Sequence, residues 1–127
     1  MALGMSQYLA NAVFNAIGNN TSLAIAQCYI KLHIGDPGAA ATTSPAVETT
    51  RKLVSFSVAA SGLMTSDAAT QWVAVAASED YSHYSAWDAL TVGNFLWSGL
   101  ITAAAVTAGD TFTLATGDID LAITLAA

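Results

Sequence analysis

Apolar and polar residues alternate along most of the chain, and the period of this alternation changes once. Near the N-terminus the apolar residues recur at helical spacing: Leu9, Val13, Ala16 and Ile17. Ser6 is placed to cap a helix at its start, and Gly18 ends the pattern before a polar turn. The pattern predicts one short amphipathic helix over residues 6–17, which either covers a sheet or contacts a neighbouring subunit.

From Cys28 onward the period is two, which is typical of half-buried strands. Four residues share one face of the first such segment: Cys28, Ile30, Leu32 and Ile34. The clearest alternation is the last, with four apolar residues on one face: Ile119, Leu121, Ile123 and Leu125. Shorter alternations lie between them, around residues 54–58, 72–75, 83–87, 95–98 and 111–113.

Turn residues separate these segments, and no helical pattern lies between them. About seven or eight short strands in this arrangement predict a mainly β fold, namely an antiparallel β-sandwich that is jelly-roll-like or Ig-like. A partly closed barrel is the alternative. Residues 1–127 are expected to form a single domain with the helix at its N-terminus.

Residues 36–50 differ from the rest because they show no clear periodicity and carry little charge. Loops of this length inside a compact domain are usually functional or mobile. Two interpretations stay open for this segment: an arm that settles on a neighbouring subunit, or a mobile surface loop.

Charged residues make up only 9% of the chain, against about 25% in a typical soluble domain. No apolar run approaches the length of about 18 residues that a membrane-spanning helix needs, so no membrane contact is expected. The net charge is −6, and Arg51-Lys52 is the one adjacent pair of cations, which argues against nucleic-acid binding. No cation precedes Lys31, so a secretory signal is not expected. So few charges favour a component of an assembly.

The sequence offers few residues for chemistry. The soft metal ligands Cys28, His33 and His83 lack the close spacing of a zinc site, and Cys28 is interpreted as a small buried apolar residue. The strand-end acids Asp118 and Asp120 are interpreted as solvated, since no calcium-binding loop is present. We therefore expect no metal and no cofactor.

Catalytic patterns are equally sparse. The sequence has no Gly-x-Ser-x-Gly motif and no glycine-rich phosphate loop before a helix, and Glu79-Asp80 is an adjacent pair in a turn. His33 with Asp36, and His83 with Asp88, are interpreted as pairs that lock turns. No catalytic residue is assigned, and the protein is not expected to be an enzyme.

Five aromatic residues fall on two neighbouring predicted strands: Tyr81, Tyr84, Trp87, Phe95 and Trp97. Packing across strands in the core explains this set. The alternative interpretation is a surface on which sugar rings stack.

An ordered series of segments resembles a family of small bacteriophage virion proteins, which are labelled tail-fibre, minor tail or minor capsid proteins. The matching segments are residues 6–11 (SQYLAN), 29–38 (YIKLHIGDPG), 50–52 (TRK), 83–89 (HYSAWDA), 93–100 (GNFLWSGL), 106–112 (VTAGDTF) and 117–119 (GDI). The resemblance implies a structural protein of the virion, assembled in the host cytoplasm, with no catalytic residues to carry over. It implies other virion subunits as partners.

The length and patterning of the chain bear on its position in the particle. The chain is short and has no coiled-coil heptads and no long shaft, which favours a capsid decoration or minor capsid protein on the outer head shell. The major capsid protein would then be the partner, and self-association is expected, with a trimer as one candidate. The alternative is a tail, baseplate or tail-fibre subunit that binds a receptor or glycan through exposed aromatics at Tyr81, Tyr84, Trp87 and Trp97.

Overall fold

The computed structural model describes residues 3–127. Within this range one helix precedes eight strands: α1 (Gln7–Gly18), β1 (Cys28–His33), β2 (Lys52–Val54), β3 (Leu63–Thr65), β4 (Thr70–Trp72), β5 (Glu79–Trp87), β6 (Phe95–Val106), β7 (Phe112–Leu114) and β8 (Asp120–Ala122). Every pairing between these strands is antiparallel. The predicted mainly β fold with one N-terminal helix is confirmed.

Helix α1 begins where the sequence predicts. The Ser6 side chain accepts a hydrogen bond from the Leu9 backbone N–H at 3.0 Å, which satisfies a donor that the first turn would otherwise leave free. The predicted apolar stripe is covered over only part of its length. Leu9 is buried and Val13 is half-buried, whereas Ile17 is 78% exposed. The helix therefore packs on the sheet by its first half and leaves the second half uncovered.

The largest sheet has four strands in the order β2-β1-β5-β6. The segment before α1 extends its edge, because Met5 forms a bridge with Trp97 on β6. Ser6 N–H donates to the Leu96 carbonyl at 2.7 Å, and Ser98 N–H donates to the carbonyl of residue 4 at 3.0 Å. Helix α1 is thereby fastened to β6.

Two ribbons, β3 with β8 and β4 with β7, pack over one face of the four-stranded sheet. The Tyr84 hydroxyl on β5 donates to the Asp120 carbonyl on β8 at 3.1 Å. The ring of Phe112 on β7 meets that of Tyr81 edge to face, with centroids 4.9 Å apart. The result is sandwich-like. Its second layer differs from that of a complete jelly roll or immunoglobulin sandwich, since it consists of two separate ribbons.

The predicted strand over residues 119–125 is wrong in its extent. Only Asp120–Ala122 is a strand, and Ile123 and Leu125 are 59% and 54% exposed. The partner β3 has only three residues and follows a turn at Gly62, whose carbonyl accepts the last ladder bond from Ile123 N–H at 2.9 Å. A longer alternation therefore has no further edge to pair with.

Residues 36–50 fold back along β1. Ile34 N–H donates to the Ser44 carbonyl at 3.0 Å, and Ala46 N–H donates to the Leu32 carbonyl at 3.2 Å. Ala41 and Ala46 are each 2% exposed. Ala41 and Ala46 are thus seated on their own domain, whereas Val47 is 62% exposed.

Candidate functional site

The proposed glycan-binding surface of exposed aromatics is wrong for three of its four residues. Tyr81, Tyr84 and Trp97 are 0%, 2% and 2% exposed, respectively, because they form the centre of the core. A sugar ring could stack on them only if the sandwich opened. Packing across strands, the other interpretation of these residues, is confirmed.

Trp87 is half-buried, but its ring is not open to solvent as a flat platform. The Arg51 guanidinium lies over it, 4.0 Å from the ring centroid, and Phe95 packs on it at 5.7 Å. Arg51 Nη1 also donates to the carbonyls of Ala89 and Val92 at 2.8 and 2.7 Å. Arg51, the residue before β2, therefore connects this strand to the turn between β5 and β6. The sequence places Arg51 only in a cation pair and does not predict this contact.

A buried network of hydrogen-bonded side chains links β1, β5 and the loop at residues 36–50. His33 is 0% exposed, although the alternation placed it on the outer face of β1. Its Nε2 lies 2.8 Å from Ser85 Oγ, and its Nδ1 lies 3.0 Å from the Thr43 carbonyl. Trp87 Nε1 donates to the same Ser85 oxygen at 2.8 Å.

These contacts fix the protonation of the imidazole. The Thr43 carbonyl can only accept, so Nδ1 of His33 carries the proton and donates to it. The Ser85 hydroxyl then donates to Nε2 and accepts from Trp87, which satisfies the side-chain polar atoms of His33, Ser85 and Trp87. Burial lowers the pKa of His33 from its usual 6.5, although the hydrogen bond to the Thr43 carbonyl opposes this shift. The residue is neutral at pH 7.

A pH dependence of stability follows from the lowered pKa of His33. The unfolded chain takes up a proton at His33 near pH 6.5, before the folded chain does. The contribution is therefore fully present above pH 6.5 and is lost as the pH falls from 6.5 towards the folded-state pKa. We expect the free energy of unfolding, measured with urea at a series of pH values, to decline in that window. His33→Asn should be less stable throughout and should decline less, and equal slopes for the two proteins would refute the assignment.

The two predicted His–Asp pairs are not formed. His83 Nδ1 lies 2.7 Å from Ser82 Oγ, whereas the Asp88 carboxylate accepts from the backbone N–H and the side-chain amide of Asn94 at 2.7 and 2.9 Å. Asp36 accepts from the N–H of residue 38 at 2.8 Å. Each aspartate closes its own turn, as such residues commonly do.

Of the acids near the C-terminus, Asp110 and Asp118 likewise close turns, whereas Asp120 joins β8 to β3. Asp110 accepts from Thr107 N–H at 2.9 Å, and Asp118 accepts from Ala115 N–H at 2.8 Å. Asp120 accepts from the Thr65 hydroxyl at 2.5 Å. Among residues 3–127, no group of three or more His, Cys, Asp or Glu side chains is placed to hold a metal ion.

Two carboxylates hold residues 36–50 against the start of β5. The predicted turn at Glu79-Asp80 is wrong, because both residues belong to β5. Glu79 accepts from Val47 N–H at 2.7 Å, and the buried Glu48 accepts from Ala76 N–H at 3.2 Å. Burial, together with the negative charges of Glu79 and Glu48, raises the pKa of Tyr81 to about 12. No periodic signal marks these glutamates, because their partners are backbone groups in irregular segments.

An apolar groove opens beside the first turn of α1 and encloses about 460 Å³. Its walls come from α1, residues 25–27, β1, β2 with the two residues that follow it, β3, β6 and β8. The lining residues are Leu9, Ile25, Ala26, Gln27, Cys28, Leu53, Val54, Ser55, Phe56, Met64, Trp97 and Leu121. None of these residues is charged. Cys28 is half-buried in the wall, where burial and then the charge of Asp88 raise the pKa of its thiol. Sequence patterns could not reveal the groove, because distant segments build it.

The second half of α1 presents a convex apolar surface, which we call the helix flank and define as Phe14 and Ile17. These side chains are 68% and 78% exposed. Exposed apolar side chains that lie together often mark an interaction site. Over the described residues, no helix is long and apolar enough to cross a membrane. The groove and the helix flank are thus the candidate contact surfaces.

Comparison with known families agrees with the expectation of a virion protein. The family model described as Podophage GP4 fiber I protein gp80 matches residues 4–122. The match runs from the segment that precedes α1 to the end of β8, and so includes every described helix and strand. No curated protein matches the chain. The chain belongs to the Podophage GP4 fiber I protein gp80 family and is a structural component of a bacteriophage virion.

Proposed function

We propose that this protein is a fibre subunit of the bacteriophage tail, that it acts by binding other virion subunits, and that it has no enzymatic activity. The match to a fibre family over nearly the whole chain is the observation that carries the proposal. It favours the fibre alternative of the sequence analysis over capsid decoration.

The described surface supports a role in subunit contact. The Tyr and Trp side chains offered for glycan stacking are mostly in the core, so receptor binding by that set is not part of the proposal. The buried His33 and Ser85 side chains use their polar atoms on each other and on their neighbours, which makes them structural groups. Exposed apolar side chains remain for contacts with other subunits.

The chain has no long shaft of its own, but a fibre subunit does not need one if subunits associate. A fibre can be built from short domains joined by their surfaces, so that one chain need not span its length. The apolar groove and the helix flank provide such surfaces.

Immunogold electron microscopy of intact virions tests the position. Antibodies raised against the folded protein should label the tail fibres, and label spread over the head shell would refute the fibre assignment in favour of capsid decoration. The same antibodies, first absorbed with the purified protein, provide the control for background labelling. Quantitative mass spectrometry of purified virions should agree, with a copy number far below that of the major capsid protein.

A further inference from the structure

We propose that copies of this chain associate head to tail, with the helix flank of one copy seated in the apolar groove of the next. The occupant of the groove is thus a second copy of the chain. This inference goes beyond the position in the virion, because it concerns the purified protein and holds whichever part of the particle the protein occupies.

The helix flank cannot fill the groove of its own chain. Leu9, in the first turn of α1, is part of the groove wall. A helix rises about 1.5 Å per residue, so Phe14 and Ile17 lie roughly 7.5 and 12 Å further along the same rigid helix. Both point away from the core, at 68% and 78% exposure. Their burial therefore requires another molecule.

The groove suits apolar side chains better than a small polar ligand. Its volume of about 460 Å³ can take a large apolar side chain together with its neighbour. Small-molecule sites usually contain a few converging polar groups that orient the ligand. Here Gln27 and Ser55 are the only polar side chains in the wall, and both are exposed. Aromatic and aliphatic anchors in such pockets dominate protein–protein binding.

The distribution of charge favours a second copy in particular. Two copies of a chain with a net charge of −6 repel each other. This repulsion is weakest when the surfaces that face each other carry no charge. The first 30 residues contain no Asp, Glu, Lys or Arg, and they include all of α1 and one side of the groove. Contact between the helix flank of one copy and the groove of another therefore brings no like charges together.

The exposed area agrees with a missing partner. A folded monomer of 13.0 kDa exposes about 6,300 Å². This chain exposes 7084 Å². The chain therefore exposes more surface than a typical monomer of its mass, as a subunit separated from its neighbours does. Because the helix flank and the groove are different surfaces, the contact is directional and forms a ring if its rotation closes.

The first experiment measures the mass of the purified protein in solution by analytical ultracentrifugation over a concentration series. The wild-type chain should exceed the monomer mass. Phe14→Asp and Ile17→Asp should each raise the dissociation constant at least about tenfold, because a carboxylate would enter an uncharged apolar groove. Val73→Asp is the matched control, since Val73 is 68% exposed like Phe14 but lies outside both surfaces. The mass of the Val73→Asp protein in solution should equal that of the wild type at each concentration.

The second experiment tests the direction of the contact. Leu53→Asp should damage the groove from its half-exposed rim and leave the helix flank intact. Phe14→Asp damages the flank and leaves the groove intact. Each variant alone should be monomeric, whereas an equimolar mixture should form a heterodimer through the one intact pair of surfaces. Circular dichroism should show native folding for both.

Four results would overturn the proposal. One is a wild-type chain that stays monomeric at the highest soluble concentration. Another is unchanged association of both Phe14→Asp and Ile17→Asp. The third is a mixture of Leu53→Asp and Phe14→Asp that stays monomeric, because the intact flank of one variant would then fail to bind the intact groove of the other. The fourth is association of Leu53→Asp on its own, since it would indicate contact between two helix flanks. Labelling of virions, by contrast, decides the fibre assignment alone.

Discussion

Gly99→Ala is expected to lower the free energy of unfolding by about 3 kcal/mol. A Cβ atom at Gly99 would lie 2.5–2.6 Å from the hydroxyl and two ring carbons of Tyr84, which is paired with it across β5 and β6. That ring cannot simply move aside. It is 2% exposed, and its hydroxyl accepts from Trp97 Nε1 at 3.2 Å and donates to the Asp120 carbonyl at 3.1 Å. Chemical denaturation monitored by tryptophan fluorescence measures the loss.

Gly18→Ala is the matched control for that substitution. A Cβ at Gly18 meets nothing within 4 Å, so the change should be neutral or stabilising by up to about 1 kcal/mol. The double variant Gly99→Ala, Tyr84→Ala should lose less than the two single losses combined, because the clash disappears with the ring. Additive losses, or a Gly99→Ala protein as stable as wild type, would contradict the close packing of this pair.

Ser85→Ala is expected to cost about 2–4 kcal/mol, although it removes a single oxygen atom. The hydroxyl is the shared partner of His33 Nε2 and Trp87 Nε1, both at 2.8 Å. Its loss leaves an acceptor and a donor unpaired in the interior, where water does not replace it without a cavity of sufficient size. Urea denaturation at pH 7 measures the effect.

Ser57→Ala provides the comparison for the loss of a hydroxyl. Ser57 is exposed and donates to the Thr65 carbonyl at 3.2 Å, so its removal should change the free energy of unfolding by no more than about 0.5 kcal/mol. Ser85→Ala should also shift the indole environment of Trp87, which near-ultraviolet circular dichroism detects. Equal costs for the two substitutions would mean that the buried hydrogen-bonded network does not stabilise the fold.

Periodicity predicts a helix or strand correctly when the residues of that element alone determine its structure. Helix α1 was predictable because Ser6 caps it and its apolar spacing is helical. Strand β1 was predictable because Ile30 and Leu32 alternate with polar neighbours. The burial of His33 was not, since its cover comes from residues 36–50, which have no period. A pattern within one strand says little about which segment covers its second face.

Strict alternation also misplaces Tyr81. Tyr81 and Tyr84 are three residues apart, so regular pleating would put them on opposite faces of β5. The register between β5 and β6 shifts between Tyr81 and His83, and this irregularity turns both tyrosines into the core. A bulge of this kind depends on the partner strand and has no signature in the sequence of β5. The same reasoning applies to the apolar groove, whose walls come from six separate segments.

The attachment of the N-terminus to β6 sets an order for folding during synthesis. The hydrogen bond between Ser98 N–H and the carbonyl of residue 4 closes a loop that contains most of the chain. Residues 4–6 and α1 leave the ribosome before the strands do, but their partner strand β6 begins only at Phe95. Nascent chains thus carry an uncharged amphipathic helix whose apolar side has nothing to pack on, which exposes them to aggregation until β6 emerges. Slowed translation between β1 and β6 should therefore increase aggregation of this protein and its demand for chaperones.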